Sequence, residues 1–240
     1  MDLGLKGKAV LVTGGSKGIG LACAKAFAAE GCSVQLAARD KHRLAQAAKP
    51  LGATTHSVDL RDAAALRRLA SECGEVDILV NNAGDIPGGT IEGLDDAKWR
   101  NAWELKVFGF INLTREIYPR MKARKSGVIV NVIGMAAEHP SFEYICGATA
   151  NAGLANFTRA LGKGYAQHGV RVVGVHPPST RTDRIITLMK AQAKAKFGDE
   201  SRYEELMGNV IEPEQVGDTV CFLASQRAGQ LSGVVLNLGS

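Results

Sequence analysis

The amino-acid sequence predicts an α/β fold, a doubly wound parallel sheet of about seven strands with helices on both faces. Short β-branched runs alternate with longer Ala-rich amphipathic segments along almost the whole chain. A glycine-rich turn at residues 14–20 also joins the first run to the first amphipathic segment. This alternation is typical of parallel strands joined by right-handed crossovers.

The elements are predicted in chain order from these two periodicities. A strand over 8–13, a helix over 18–30 and a strand over 33–38 form the first βαβ unit. The remaining predicted elements are strands at 54–58, 76–80, 127–133, 170–175 and 234–238, and helices at 63–72, 96–122, 147–168 and 213–225. Residues 181–208 are polar and Lys-rich. They predict one or two short helices on a mobile connection, well placed to cover a ligand at the carboxyl edge of the sheet.

The composition favours one ordinary globular domain over residues 1–240. The chain has 240 residues, 45% of them hydrophobic, which suits a single α/β core. Its net charge is +5, but basic residues are interleaved with acidic ones, so we expect no nucleic-acid partner. The five cysteines, which lack metal-ligand spacing, are Cys23, Cys32, Cys73, Cys146 and Cys221. We therefore expect a reduced cytoplasmic protein with no bound metal and no membrane span.

The glycine-rich turn predicts a phosphate site. The first strand runs directly into Thr13-Gly14-Gly15-Ser16-Lys17-Gly18-Ile19-Gly20. Missing Cβ atoms let such a backbone turn sharply and approach a pyrophosphate at a helix N-terminus. The predicted phosphate-binding residues are Gly14, Ser16, Lys17, Gly18, Ile19 and Gly20. A tight strand-to-helix connection that binds nothing is the alternative.

Three spaced motifs together resemble the short-chain dehydrogenase/reductase family over essentially the whole chain. They are Gly-x-x-x-Gly-x-Gly after the first strand, Asp59 after the third, and Asn81-Asn82-Ala83-Gly84 after the fourth. The resemblance implies a single-domain Rossmann fold that binds NAD(P). It further implies that Asp59 and Leu60 lie beside the adenine ring, and that Asn82, Ala83 and Gly84 form the turn behind the cofactor.

The end of the second strand bears on which dinucleotide binds. A carboxylate there would bind a ribose 2′-hydroxyl and repel a 2′-phosphate, whereas this strand ends in Ala38-Arg39. Arg39 can bind a phosphate through two N–H groups, and Lys17 supplies a second cation from the glycine turn. We therefore expect NADP(H) rather than NAD(H). NAD(H) stays open if the side chain of Asp40 turns inward.

The resemblance also implies where catalytic residues should lie. Family members use a Tyr as proton donor, a Lys four residues later, a Ser on the preceding strand and an Asn on the long helix. Aligning residues 103–109, 131–134 and 154–161 with the family puts Lys106 at the Asn position, Gly134 at the Ser position, Gly147 at the Tyr position and Asn151 at the Lys position. The chain is thus identified as a divergent member without these four residues. General-acid and electrophilic contributions of roughly 10²-fold or more each disappear with them.

A rebuilt site is one interpretation of these replacements. Tyr144 precedes Gly147 by about one helical turn, and the pair Lys106 and Asn151 looks like an exchange of the expected Asn and Lys. We hypothesise that Lys106 projects toward the space of the family Lys while Tyr144 or a water supplies the proton. In the alternative, Lys106 is a surface or interface cation and Tyr144 packs in a loop. His139 is a further possible base, although a lone loop His is usually solvated.

Residues 176–182 resemble the segment that meets the nicotinamide carboxamide. Pro177, Thr180 and Thr182 are the expected contacts, and Pro178 replaces the family Gly and so removes a backbone donor. Family members commonly pair two long helices between subunits, so the resemblance implies a homodimer or homotetramer through the helices at 102–118 and 148–164, whose small residues permit close approach. In the alternative, these small residues face the sheet.

Two functions remain open on the sequence. The first is an NADP(H)-dependent oxidoreductase for an unknown carbonyl or alcohol, with an altered proton relay. The second is a catalytically silent nucleotide-binding relative with a structural or regulatory role. Residues 184–208 carry no recognisable side-chain code for a substrate.

Overall fold

A parallel sheet in the order β3-β2-β1-β4-β5-β6-β7 forms the centre of the molecule in the computed structural model, which describes residues 2–208 and 210–239. The strands are β1 (Ala9–Thr13), β2 (Ser33–Ala38), β3 (Thr54–Ser57), β4 (Ile78–Asn81), β5 (Gly127–Val132), β6 (Val170–His176) and β7 (Val234–Asn237). Neighbouring strands are parallel throughout this sheet. The predicted fold class is therefore confirmed.

Helices pack on both faces of the sheet. They are α1 (Gly18–Ala29), α2 (Lys41–Ala48), α3 (Ala63–Glu72), α4 (Asp96–Trp103), α5 (Gly109–Arg124), α6 (Ile145–Gly162), α7 (Tyr165–His168), α8 (Asp183–Phe197), α9 (Glu204–Met207) and α10 (Pro213–Ala224). Successive residues of a strand point to opposite faces. Accordingly Val10 of β1 shares a buried cluster with Phe27 of α1, whereas Leu11 packs with Leu113 of α5. The two hydrophobic layers follow directly from the alternating strand pattern.

The helix predicted over 96–122 is continuous but locally rewound. Between α4 and α5 the chain forms a π-helical segment, Glu104–Phe108. Such segments insert an extra residue into a helical turn and are frequent at functional sites. The helix predicted over 147–168 is divided into α6 and α7.

The helix α2 was not predicted from the sequence. Only Leu44, Ala47 and Ala48 of its eight residues are buried. A short amphipathic stripe of this kind is a weak sequence signal.

The prediction for residues 181–208 was wrong in its helix length. The segment contains α8, a helix of 15 residues, followed by a 3₁₀ turn and α9. Thr182 caps α8 by accepting from the N–H of Ile185, and Gly198, with φ +75°, ends it. The Arg202 guanidinium then packs 4.1 Å from the ring centre of Phe197. A capped Ala- and Lys-rich run has high helix propensity, which outweighed its polarity.

Within residues 2–208 and 210–239, no helix combines the length and apolarity that a membrane crossing needs, and no three metal-ligating side chains cluster. The homodimer or homotetramer stays a prediction. Of the small residues on α6, Ala148 and Ala150 are buried within the subunit, while Ala152 and Gly153 are exposed.

Removing the cap of α2 should lower stability modestly. The Asp40 carboxylate accepts hydrogen bonds from the N–H groups of His42 and Arg43. Asp40→Ala is expected to lower the free energy of unfolding, measured by urea denaturation, because these two donors lose their acceptor. The control is Asp218→Ala, which removes an exposed carboxylate from α10. Equal unfolding midpoints for the two variants would contradict the capping role.

Candidate cofactor and active site

The candidate site lies at the carboxyl ends of β1 and β4, where the strand order reverses. Thr13 ends β1, and its hydroxyl accepts from the N–H groups of Asn82 at 2.9 Å and Ala83 at 3.2 Å while donating to Val80 O. The Asn82 amide donates back to the Thr13 carbonyl at 3.0 Å. The turn after β4 is thereby fixed against the end of β1. In open α/β sheets, ligands bind in the crevice at this reversal.

The glycine turn needs its glycines for space and backbone geometry. Gly14 and Gly18 have φ values of +68° and +53°. A Cβ on Gly20 would lie 2.3 Å from the Gly14 carbonyl oxygen and 2.5 Å from the Asn82 amide nitrogen. A side chain at position 20 would therefore force the turn and the Asn82 loop apart.

The N-terminus of α1 is suited to an anion. Asp40 and Asp62 cap α2 and α3 with their carboxylates, whereas Lys17 at the start of α1 makes no capping hydrogen bond with its side chain. The first N–H groups of a helix need acceptors, and the helix dipole favours negative charge there. This uncapped terminus beside bare glycine backbone fits a dinucleotide pyrophosphate.

The segment that begins α8 lies beside this turn. A cavity of about 180 Å³ separates α1 from the start of α8, with Gly18 and Arg181 among its lining residues. The Thr182 side chain would be 3.2 Å from a Cβ on Gly18. The Thr180 hydroxyl donates to Pro178 O at 2.9 Å, and the Thr182 hydroxyl accepts from Ile185 N at 3.5 Å. Both hydroxyls are thus already engaged within the chain.

The cationic and acidic side chains near the end of β2 have different environments. The side chains of Arg39 and Lys17 are exposed. The Asp40 carboxylate is directed to the first turn of α2, where the backbone N–H of Arg43 lowers the pKa of that carboxyl most. Asp40 therefore does not turn inward, as the NAD(H) alternative required.

The residues expected at the adenine end lie beside β3. Asp59 is held by Arg61, whose Nη2 is 2.6 Å from Asp59 Oδ2, and this hydrogen-bonded ion pair lowers the pKa of Asp59. Leu60 is buried in the same cluster as Leu11. Leu60 thus packs the loop after β3 against the core, while Arg61 of the same loop pairs with the Asp59 carboxylate.

Lys106 is buried at the carboxyl end of β5. It is only 9% exposed, which excludes the surface-cation alternative, and its ammonium donates to the carbonyl of Ile133 at 2.5 Å. Burial and then the nearby Arg184 lower the pKa of Lys106 to about 7. A Cβ on Gly84 would lie 2.8 Å from Lys106 Cδ, so this glycine makes room for the lysine stem. The π-helical segment carries Lys106, and Gly84 leaves the space that its side chain occupies.

Asn151 lies next to Lys106 at the same strand end. Its amide nitrogen contacts the carbonyl of Gly134 at 3.4 Å, one residue beyond the carbonyl that Lys106 binds. Asn151 Oδ1 is buried and has no hydrogen-bond partner within the described residues. A buried acceptor without a donor is costly, so it fits a hydroxyl supplied by a ligand. The structure thus brings together the two residues that the sequence suggested had exchanged places.

Tyr144 occupies the space beside Gly147. A Cβ on Gly147 would lie 2.1 Å from Tyr144 Cε1 and Cζ and 2.6 Å from its hydroxyl oxygen. The phenol ring therefore fills the volume into which a side chain at position 147 would project. Burial raises the pKa of Tyr144, and the adjacent Arg184 opposes this rise.

Sequence reasoning missed two polar residues near the site. His176 ends β6 fully buried, and neither ring nitrogen makes a hydrogen bond within the described residues; Glu138 Oε1 is 3.4 Å away. Burial lowers the pKa of His176. A histidine at a strand end directly before Pro177 was the available signal. Arg184 had no sequence signal. His139, the other base considered on the sequence, is exposed.

An uncapped, glycine-lined helix N-terminus at the reversal point of a parallel sheet defines a dinucleotide-binding α/β protein of the Rossmann type. A family model described as short chain dehydrogenase matches residues 8–193. The chain belongs to the short chain dehydrogenase family, whose members bind a nicotinamide cofactor.

Similar proteins cover nearly the full length of the chain. The 2,3-dihydro-2,3-dihydroxybenzoate dehydrogenase of Bacillus subtilis is 30% identical over 95% of this chain and 93% of its own length. The D-xylose 1-dehydrogenase of Caulobacter vibrioides is 31% identical over 95% and 93%. The crystal structure of L-sorbose reductase from Gluconobacter frateurii, complexed with NADPH and L-sorbose, is 31% identical, with a TM-score of 0.92 over 99% of this chain and 97% of that one.

Proposed function

We propose that this protein is an NADP(H)-dependent oxidoreductase that interconverts a carbonyl and an alcohol, with Tyr144 as the proton donor in a rebuilt site. The observation that carries the proposal is the phenol ring of Tyr144 in the space beside Gly147. A side chain three residues earlier thereby supplies a hydroxyl where the family alignment leaves none.

The cofactor end supports NADP(H). Arg39 and Lys17 are exposed near the end of β2 and the glycine turn, and the Asp40 carboxylate is bound to α2. Two exposed cations, with the Asp40 carboxylate turned away from them, favour a 2′-phosphate. The similar L-sorbose reductase was crystallised with NADPH. The residues proposed to hold the dinucleotide are Gly14, Ser16, Lys17, Gly18, Ile19, Gly20, Arg39, Asp59, Leu60, Asn82, Ala83, Gly84, Pro177, Thr180 and Thr182.

The catalytic proposal assigns a proton step to Tyr144. NADPH, when bound, supplies the hydride. The hydroxyl of Tyr144 is protonated at neutral pH, and Arg184 opposes the rise in its pKa that burial causes, which favours proton donation to the developing alkoxide. Arg184 then stabilises the phenolate that remains, while the Lys106 ammonium and the free oxygen of Asn151 bind ribose hydroxyls. Tyr144, Lys106 and Asn151 are thus the proposed catalytic set.

One observation favours the second candidate, a catalytically silent nucleotide-binding protein. Gly134 stands where the family alignment expects a Ser, so position 134 has no hydroxyl to polarise a carbonyl. Binding and turnover separate the two candidates. NADPH binding is measured by fluorescence titration, and its oxidation is followed with a panel of ketones, aldehydes and quinones. Turnover supports the oxidoreductase, and saturable binding with no turnover of any compound favours the silent role.

Cofactor preference should depend on Arg39. Arg39→Ala is expected to weaken NADPH binding about tenfold, or about 1.4 kcal/mol, and to leave NADH binding nearly unchanged, because only NADPH carries the 2′-phosphate. Fluorescence titration with both dinucleotides provides the measurement. Arg43→Ala, which removes an exposed arginine from the adjacent helix, is the matched control. Equal weakening of both dinucleotides would exclude a specific phosphate contact.

A further inference from the structure

Two neighbouring cationic side chains, Lys106 and Arg184, form a group in which Arg184 adjoins Tyr144. The loop after β4 pairs with the residues before α6, since the Gly89 N–H donates to Glu143 O at 2.7 Å and Gly89 forms a bridge with Tyr144. Arg184 of α8 reaches this loop, where its guanidinium donates to the carbonyl of Ile86. The guanidinium also lies beside the Tyr144 hydroxyl. α8 therefore places the Arg184 guanidinium beside the Tyr144 hydroxyl.

The positive charge of this group is poorly balanced. Within the described residues, Lys106 forms no salt bridge, and its ammonium binds only the carbonyl of Ile133. The carboxylate facing Arg184 is Asp85, 4.0 Å away and 70% exposed. An exposed pair at this distance contributes little, and water screens it. Lys106 is buried, whereas the Arg184 side chain is 49% exposed. A buried cation is normally paired, so Lys106 with Arg184 beside it and no close carboxylate indicates a place for an anion that enters from the Arg184 side.

We propose that the substrate is an oxo acid, whose carboxylate binds Arg184 while its carbonyl oxygen faces the hydroxyl of Tyr144. This inference rests on the proposed function and names the substrate class. Guanidinium groups bind carboxylates through two parallel N–H···O bonds, which fixes orientation as well as affinity. The weak contact with Asp85 is readily exchanged for a closer carboxylate. Because Arg184 lies on α8, the substrate acid also links α8 to the site.

The experiment compares each oxo acid with its methyl ester. Pyruvate, acetoacetate and levulinate place the carboxylate at increasing distances from the carbonyl, and the esters remove only the charge. At least one acid is expected to exceed its ester about tenfold in kcat/KM with NADPH, because the ester cannot form the charged pair. Arg184→Gln should abolish this preference, and Arg184→Lys should retain part of it. Arg202→Gln, which removes another arginine of the 181–208 segment, should leave it unchanged.

The outcomes distinguish this inference from the proposed function. If the enzyme reduces esters as fast as acids, or if Arg184→Gln keeps the preference for acids, the carboxylate site is wrong while the oxidoreductase stands. If no compound is turned over, calorimetric titration of each acid into the NADPH complex decides the question. Binding of an acid that Arg184→Gln abolishes supports the carboxylate site, and absence of binding by all three acids overturns it.

Discussion

Tyr144→Phe is expected to lower kcat by about 10²-fold or more, the usual contribution of a positioned general acid. The substitution removes one oxygen and keeps the ring that fills the space beside Gly147. NADPH affinity should therefore change by less than about twofold, because packing at the site is conserved. The measurements are steady-state kcat with the best substrate of the panel and fluorescence titration of NADPH.

A matched control removes a phenol elsewhere. Tyr118 on α5 donates or accepts a hydrogen bond with His168 Nδ1 at 2.8 Å, in contact with α7 rather than with Tyr144. Tyr118→Phe should leave kcat unchanged. If Tyr144→Phe retained full kcat, a water or another side chain would have to supply the proton, and the assignment of Tyr144 would be wrong.

Gly147→Tyr, which restores the residue expected from the family alignment, should destabilise the protein by about 3 kcal/mol. The new Cβ would overlap Tyr144 Cε1 and Cζ at 2.1 Å, so the half-buried ring of Tyr144 must leave its position. Overpacking a filled interior commonly costs about 1–3 kcal/mol, and a second aromatic ring lies at the upper end. Urea denaturation measures the loss.

A double variant separates overlap from other effects. Tyr144→Ala combined with Gly147→Tyr removes the ring that blocks the new side chain. The double variant should therefore be more stable than Gly147→Tyr alone, with a coupling energy of about 1 kcal/mol or more between the two positions. Additive effects, or a fully stable Gly147→Tyr protein, would show that the phenol of Tyr144 does not require a glycine at 147.

A side chain at position 134 would also conflict with its surroundings, in part because of the backbone conformation. Gly134 has φ +132°, where a side chain is strained, and an added Cβ would lie 2.8 Å from the amide nitrogen of Asn151. The glycine at 134 thus accommodates Asn151, and the glycine at 147 accommodates Tyr144. The four residues form a mutually fitted set, so restoring one family residue at a time conflicts with the others.

The fold was largely predictable because its signals are local. The bounds of β2 and α3 are confirmed as predicted, since a β-branched run and an Asp-capped amphipathic helix each carry their own signal. The glycine turn was equally clear, because the φ values of Gly14 and Gly18 suit glycine. By contrast, α2 buries too few residues to show a clear stripe, and the polar composition of α8 hid its length.

The sequence offered a list of candidate site residues but not their arrangement. The alignment located Lys106, Asn151 and Gly147, and the position of Tyr144 about one turn earlier suggested a substitute phenol. The contribution of Arg184 was not visible, because α8 meets the loop after β4 only in the folded chain. Nor was the burial of His176 apparent before β6 was placed inside the sheet.

The sequence by itself determined the parallel sheet, the glycine turn at the start of α1 and the absence of side chains at positions 134 and 147. These features depend on local periodicity and on glycine's missing Cβ. Only the tertiary structure decided that Lys106 is buried, that the Tyr144 ring fills the space beside Gly147 and that Arg184 reaches the same site. Those outcomes depend on packing between segments far apart in the chain, where volume and desolvation, rather than local pattern, set each side chain's position and charge.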